Sequence, residues 1–360
     1  MKRFWSSGLL SLLVSCCLTV CLWPSAARAN NPLWNFYDYP FFDGGFPEGA
    51  ADVQGIQVAP IYDVGKSLSG PSGAKVPGIH ETDTLVMLFQ WVYFYPEWMQ
   101  PWSWLLPSDN KHFTLSSDMF FDYAVTHTDS GLPTGAGVGG GGVGDVEWTP
   151  MGIGIAYQHW QYEDWFKLTG YISPLIEFPL GDYDAAAAQG GGFPGLGSNA
   201  WTVLPAFIGW NYLGKNFGPL EGTEWQTDLI YFHQFTANSQ FPTATLNQFT
   251  TFTAGDSIVW NNAFLVPLLK NLKGGIGVTW YQTLGAPEIG GKTVPGPTEQ
   301  QELGIGPAFQ SHFGPVNFWV SMATDIMTKN VYRQLGFYVT ADYAFPTSDL
   351  YKDQLLDWMK

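Results

Sequence analysis

Between His112 and Thr126 hydrophobic and polar residues change sides at every step. Phe113, Leu115, Met119, Phe121, Tyr123 and Val125 share one face, and Thr114, Ser116, Asp118 and Asp122 the other. A period of two is that of a strand lying between unlike surroundings. Near the end of the chain, Phe337, Val339, Ala341, Tyr343 and Phe345 oppose Tyr338, Thr340 and Asp342 in the same way. Between them, Val316, Phe318, Val320 and Met322 oppose Asn317, Ser321 and Asp325, with Trp319 an exception on the polar side. The stretch Thr84 to Tyr95 is apolar enough to resemble a membrane helix, but it contains Gln90, is rich in β-branched and aromatic residues, and is followed by Pro96 and Pro101. A strand suits it better.

Extended along the chain, this pattern predicts twelve strands at about 54–62, 84–96, 112–126, 146–160, 164–180, 201–213, 224–236, 250–266, 274–284, 301–313, 316–326 and 333–345. Many exceed ten residues and end in Trp or Tyr, as strands do when a lipid-facing band is bordered by aromatic girdles. Backbone amides in hydrocarbon must all be paired, so such a sheet has to close on itself. The expected fold is therefore all-β, a transmembrane antiparallel up-and-down barrel. Long connections at His127–Asp145, Gly181–Ala200, Ala237–Phe249 and Gly285–Gln300 alternate with short ones near Gln161–Glu163, Gly214–Thr223, Pro267–Lys273 and Gly314–Pro315. This is the alternation of outer loops and periplasmic turns. The long turn Glu97–Lys111 and the short outer loop Met327–Tyr332 depart from it. With an even strand number, both termini are expected in the periplasm.

The first residues add a compartment. Lys2 and Arg3 precede an apolar run from Phe4 to Trp23, and Pro24 to Asn30 supplies small residues around Ala27-Arg28-Ala29. That is the form of a secretory signal cleaved after Ala29. An uncleaved anchor, or a lipoprotein signal modified at Cys16, are the alternatives. The expected organisation is a leader at 1–29, an N-terminal segment at 30–52 that is periplasmic or plugs the lumen, a barrel at 53–345, and a tail at 346–360. All three cysteines, Cys16, Cys17 and Cys21, fall in the leader. The mature chain then has no disulfide, thiolate metal site or cysteine nucleophile.

Composition narrows the partners. Charged residues make up 13% of the chain and aromatics 17%, against about a quarter charged in soluble domains. The net charge of −16 argues against nucleic acid and against a basic membrane-surface patch.

Several segments resemble the outer-membrane transporter family named for the MetA pathway of phenol degradation. They are Gly142-Val143-Gly144-Asp145 before a strand, Pro179-Leu180-Gly181-Asp182-Tyr183-Asp184 at a strand end, Gly197-Ser198-Asn199-Ala200-Trp201-Thr202 followed by Pro205, and Gly304-Ile305-Gly306-Pro307. The resemblance covers about Gly142 to the C-terminus. It implies a barrel that passes hydrophobic small molecules, and it carries over no catalytic residue. The strand ending at Phe345 resembles the aromatic-terminated last strand that barrel-assembly machinery recognises, although Pro346 to Lys360 extend beyond it.

Other motifs have plainer readings. Gly135 to Gly140 spells a dinucleotide fingerprint without a βαβ context, so an outer loop is expected. His80, His112, His127, His159, His233 and His312 show no metal-ligand spacing and read as rim or lumen residues. His127-Thr128-Asp129-Ser130 holds hydrolase residue types without evident triad geometry, which leaves an outer-membrane hydrolase as a minor alternative. Strand parity points Asp118, Asp122, Glu177, Glu224, Asp228, Glu302, Asp325 and Asp342 into the barrel, with Lys167 as the basic member and Ile230 and Phe232 as apolar ones. Exclusion of polar groups from lipid explains their polarity, but not their common sign. An acidic lumen repels anions and favours neutral or cationic solutes.

The expectation is a non-enzymatic barrel of a Gram-negative outer membrane, without cofactor or metal, whose partners are outer-membrane lipid, the assembly machinery and small neutral or hydrophobic solutes. A structural or surface-interaction barrel with a closed lumen is the alternative.

Overall fold

The computed structural model describes residues 53–346 apart from 70, 76–81, 96–112, 129–137, 158–164, 183–199, 236, 243–248, 254, 294–295, 297 and 314–315. The leader, the segment 30–52, most of the tail, Asp129 and Ser130 lie outside the described residues.

Among the described residues there are sixteen strands: β1 Val53–Leu68, β2 Thr82–Phe94, β3 Phe113–Thr128, β4 Val138–Tyr157, β5 Phe166–Phe178, β6 Thr202–Leu213, β7 Glu224–Gln234, β8 Ala237–Pro242, β9 Phe249–Thr253, β10 Ser257–Leu269, β11 Leu272–Thr283, β12 Glu288–Ile289, β13 Lys292–Thr293, β14 Gln301–Phe313, β15 Val316–Lys329 and β16 Tyr332–Pro346. Twelve of them close an antiparallel barrel in the order β1-β16-β15-β14-β11-β10-β7-β6-β5-β4-β3-β2. Each neighbour pair is also consecutive among the barrel strands, apart from the closure between β1 and β16, so no crossover helix is needed.

Side-chain exposure follows the two-residue period. In β10, Val259, Asn261, Ala263 and Leu265 are buried while Trp260 and Phe264 are 44% and 52% exposed. In β15, Asn317, Trp319, Ser321 and Ala323 are buried, and Val320 and Met322 are exposed. An inverted wall of this kind, greasy outside and polar inside, is stable only where lipid replaces water outside. Among the described residues no helix is long and apolar enough to cross a membrane. The chain is a transmembrane β-barrel.

Three expectations about boundaries are corrected. The segment His127–Asp145 is not one long loop, because β4 begins at Val138 and its glycines Gly139 to Gly142 pair in turn with His127, Thr126, Val125 and Ala124 of β3. Glycine has no side chain to alternate, which hid the strand. The same pairing removes the dinucleotide reading, since β3 and β4 are antiparallel neighbours. The expected strand 250–266 is two strands. β9 leaves the wall and joins β8, β12 and β13 in a separate four-stranded sheet, and β10 begins only at Ser257. That sheet is built from the β7–β10 and β11–β14 connections, so it stands at the end of the barrel opposite the termini. Finally, β1 runs past residue 62 to Leu68, which brings Asp63 into the wall.

β4 is irregular along both edges. Its pairing shifts against β3 between Ser116/Asp118 and Phe121/Tyr123, and against β5 between Trp148 and Ile153. Pro150, lacking an N–H, lies in the interrupted stretch, where an unbroken ladder is not possible.

Candidate functional site: the inward wall

Register places the inward side chains in rows that run around the wall. One row pairs Val86 with Ile61, Ile61 with Tyr338, Tyr338 with Ser321, Ser321 with Ala308, Ala308 with Gly275, and Gly275 with Leu265. Trp319, Ala323 and Ala263 stand one inward position to either side, and these side chains form a single buried apolar cluster with Ile61, Val86, Leu265, Ala308 and Tyr338. Apolar groups are what lipid should have drawn outward. Here they form a belt around half of the interior, spanning β2, β1, β16, β15, β14 and β10.

Polar rows flank the belt. Toward the termini, Gln90 pairs with Gln57, Gln57 with Asp342, and Asp342 with Asn317. Gln57 Nε2 donates to Asp342 Oδ1 at 2.7 Å and Asn317 Nδ2 donates to Asp342 Oδ2 at 3.0 Å, which ties β15, β16 and β1 across the closing seam. Toward the loop end lie Asp63, which accepts from Tyr338 Oη at 3.3 Å, and Asp325, which accepts from the Gln334 amide at 2.6 Å. The other half of the wall carries Asp228, reached by Asn261 Nδ2 at 3.5 Å, and the bonded pair Thr149 and Ser173 at 2.6 Å.

The structure buries Asp118, Glu177, Glu224, Asp228, Glu302, Asp325 and Asp342 on the inward face. Asp122 is half-buried. Lys167 lies in β5 opposite Tyr212, and its side chain is outside what the structure describes. Ile230 and Phe232 are inward and buried, but the apolar belt is made by other residues. These acids are spread around the wall, with Glu302 and Asp325 hydrogen-bonded to each other and Glu177 to Asp145. Among the described residues no group of three or more His, Cys, Asp or Glu could hold a metal ion.

Sequence reasoning missed the counter-ion. Lys273, assigned to a turn, lies in β11 and forms an ion pair with Glu224 of β7, whose side chain is 0% exposed. Its ammonium also sits 4.9 Å from the centroid of the Tyr212 ring, and Gln226 Nε2 donates to the same Glu224 at 2.8 Å. Taking a carboxylate out of water requires such compensation. Asp63, Gln57 and Asn261 were missed as well, and Gln90 and Asn317 were noted in their strands without a role. They become legible only once strand lengths and register are known.

The Gly-rich motifs at the loop end have a local purpose. Asp145 Oδ1 accepts from the Gly181 amide at 2.8 Å, and Asp182 Oδ2 accepts from the Val143 amide at 3.0 Å. A return bond runs from the Asp182 amide to the Val143 carbonyl at 2.9 Å. Gly142–Asp145 and Gly181–Asp182 thus interlock across β4 and the end of β5. A side chain on Gly144 would collide with the Asp122 carboxylate.

His233 is at the loop-end rim. Its Nδ1 lies 2.8 Å from Asp256 Oδ1, and Tyr231 Oη donates to Asp256 Oδ2 at 2.7 Å. Burial alone would raise the Asp256 pKa, but the hydrogen bonds from Tyr231 and His233 outweigh it and hold the carboxyl below its ordinary value of 3.8. His127 is in β3 and His312 in β14, while His80, His112 and His159 lie outside the described residues.

The barrel is similar to the crystal structure of an outer membrane channel from Pseudomonas putida F1, with a TM-score of 0.63 and 13% identity over 86% of this chain and 98% of that one. Looser likenesses join it to the transport unit of the autotransporter AIDA-I from Escherichia coli, at TM-score 0.45, 11% identity, 81% of this chain and 90% of that one. The β domain of the Bordetella autotransporter BrkA gives 0.41, 11%, 82% and 100%. No family model matches the chain, and no curated protein matches it. The first of these likenesses establishes the fold: a closed barrel of the outer-membrane kind.

Proposed function

We propose that this chain is a passive channel of a Gram-negative outer membrane for small neutral or hydrophobic molecules, with its termini in the periplasm. The apolar belt between two polar rows carries the reading. A constriction of Ile61, Leu265, Trp319 and Tyr338 gives hydrated ions no substitute for their water, whereas it solvates an aromatic or aliphatic solute. The acids on either side repel phosphates and carboxylates. Similarity to a protein described as an outer membrane channel supports the same reading, as does the resemblance of Gly142–Asp145, Pro179–Asp184 and Gly304–Pro307 to the phenol-degradation MetA family.

A second reading, a closed barrel that serves through its loops, is favoured by a different observation. The belt and its flanking polar rows are almost wholly withdrawn from solvent, with Leu265 and Ala308 at 0% exposure.

Flux separates the two. In liposomes, the channel reading expects neutral aromatic solutes to enter faster with the barrel than without it, and a carboxylated analogue to lag. In planar bilayers it expects small, cation-favouring currents that grow in the Leu265→Ser variant. Silence toward every solute supports the closed barrel, and anion preference overturns the acidic-lumen assignment.

A further inference from the structure

The inner wall is drier than its own side chains explain. Eight strands make a bore that side chains just fill, and width grows roughly with strand number, so the twelve strands here enclose one about half as wide again. Much of this wall is short. Ala263, Ala308, Ser321 and Ala323 on the belt half, and Thr149, Ser173 and Ala206 on the other, are nonetheless between 0% and 3% exposed. The long members of the belt, Trp319 and Tyr338, cluster with their own half of the wall, and Tyr338 turns its hydroxyl to Asp63 of the neighbouring strand. A bore lined but not spanned in this way would leave its short residues wet unless something else entered it.

Unmet hydrogen bonds are a second sign. Gln90 Oε1, Gln310 Oε1 and Ser321 Oγ are buried and find no partner among the described residues. Acceptors left so are costly, and they fit a donor that comes from outside the wall.

The occupant follows from reach and composition. Residues 30–52 lead directly into β1, and β1, its neighbours β2 and β16, and the strands beyond carry the belt. Residues 30–42 hold Trp34, Phe36, Tyr37, Tyr39, Phe41 and Phe42, with Asp38 their sole charge, while Asp43, Glu48 and Asp52 fall between that stretch and Val53. Ile61 of the belt is eight residues up the wall from Val53, about 26 Å along the strand. The ten residues 43–52 span at most about 33–36 Å when extended, so they reach that level and keep their three acids nearer the mouth. Six rings left in water would be an apolar patch without a cover. Against Leu265, Ala308, Ala323 and Tyr338 they are covered, and the Trp34 indole and the Tyr37 and Tyr39 phenols bring hydrogen-bond donors to the unmet acceptors.

We propose that residues 30–52 turn back into the barrel at the end where β1 begins and plug the lumen, with the aromatic stretch 30–42 seated on the apolar belt. The segment then closes the path that a channel requires, and passage needs it to move aside. That last consequence rests on the channel reading; the seat of the segment does not.

Disulfide trapping in the full-length, detergent-folded chain tests the seat, with C16S, C17S and C21S removing the native thiols. One cysteine is placed at Trp34, Tyr37 or Phe41 and a second at Ala323 or, as an alternative wall site, at Ala308. Folding is judged by heat-modifiable migration. Ser69→Cys with Thr328→Cys is the positive control, since those side-chain oxygens lie 2.6 Å apart, and Val320→Cys, on the outward face, is the negative one. A disulfide needs Cα atoms within about 7 Å. The expected result is that oxidation joins Ala323→Cys or Ala308→Cys to one of the three segment positions in most chains, and joins none of them to Val320→Cys. Closure of the control without any segment disulfide would overturn the proposal, as would trapping at these wall sites by Trp102→Cys or Trp358→Cys in place of the segment. Solute entry into liposomes separates this from the channel reading. Locking the segment should slow entry of neutral aromatic solutes and dithiothreitol should restore it. A locked barrel that is silent before and after reduction keeps the plug and removes the channel, whereas entry in a chain that forms no segment disulfide does the reverse.

Discussion

At the residue scale, buried charge is the most exposed to mutation. Glu224 is fully withdrawn from water and depends on Lys273 and Gln226. Lys273→Met should therefore cost about 3–5 kcal/mol, the range for stranding one member of a buried pair. Adding Glu224→Gln to the same chain should recover most of that loss, as read from urea midpoints of folded barrel in lipid. If the single and double variants unfold alike, the pair is not coupled. Gly144→Ala should destabilise by about 1–3 kcal/mol, because the added methyl meets the Asp122 carboxylate at a site with no slack. Lys273 was not legible in the sequence, because the turn expected at 267–273 ends two residues too late for β11, which starts at Leu272. Trp319 did stand out on the polar side of its strand. Its membership of a belt could not be read there, since a belt is a property of register between strands.

At the element scale, the twelve wall strands were legible because each separates lipid from a polar interior and must alternate. The strands β8, β9, β12 and β13 were not, since they face no such contrast and the last two are only two residues long. Their sheet is fastened near Asp256, whose backbone carbonyl also accepts from the Leu284 amide at 2.6 Å. Because the folded Asp256 pKa is held below its ordinary value, its contribution is present above about pH 4 and is lost as pH falls through the lowered value. Glu299, lowered by the hydrogen bond and then the charge of Lys329, behaves with the same sign. Protection of the Leu284 amide, taken relative to its intrinsic exchange rate at each pH, should accordingly fall below about pH 4, and Asp256→Asn should lower it at neutral pH. Exchange at Leu284 that ignores both changes would remove Asp256 from its role as fastener.

At the scale of the whole molecule, sidedness underlies everything else: the lumen and its belt both presuppose a wall with hydrocarbon on one side. Closure and strand number were read from the sequence because unpaired edges are not tolerated in lipid. The interior contents were read only in part, since parity identifies which residues face inward but not which of them meet. All native cysteines lie within the first 21 residues, so single cysteines placed in the wall have no native thiol near them in sequence. Spin labels at Ala206, Phe207, Ala263, Phe264, Val320 and Ser321 in lipid vesicles test the wall most directly, through collision with oxygen, which concentrates in hydrocarbon, and with a water-soluble nickel chelate. Labels at Phe207, Phe264 and Val320 are predicted to collide with oxygen far more than with nickel, and those at Ala206, Ala263 and Ser321 are not. Equal oxygen contact at neighbouring positions, or nickel contact at Phe207, Phe264 and Val320, would contradict a membrane-spanning barrel.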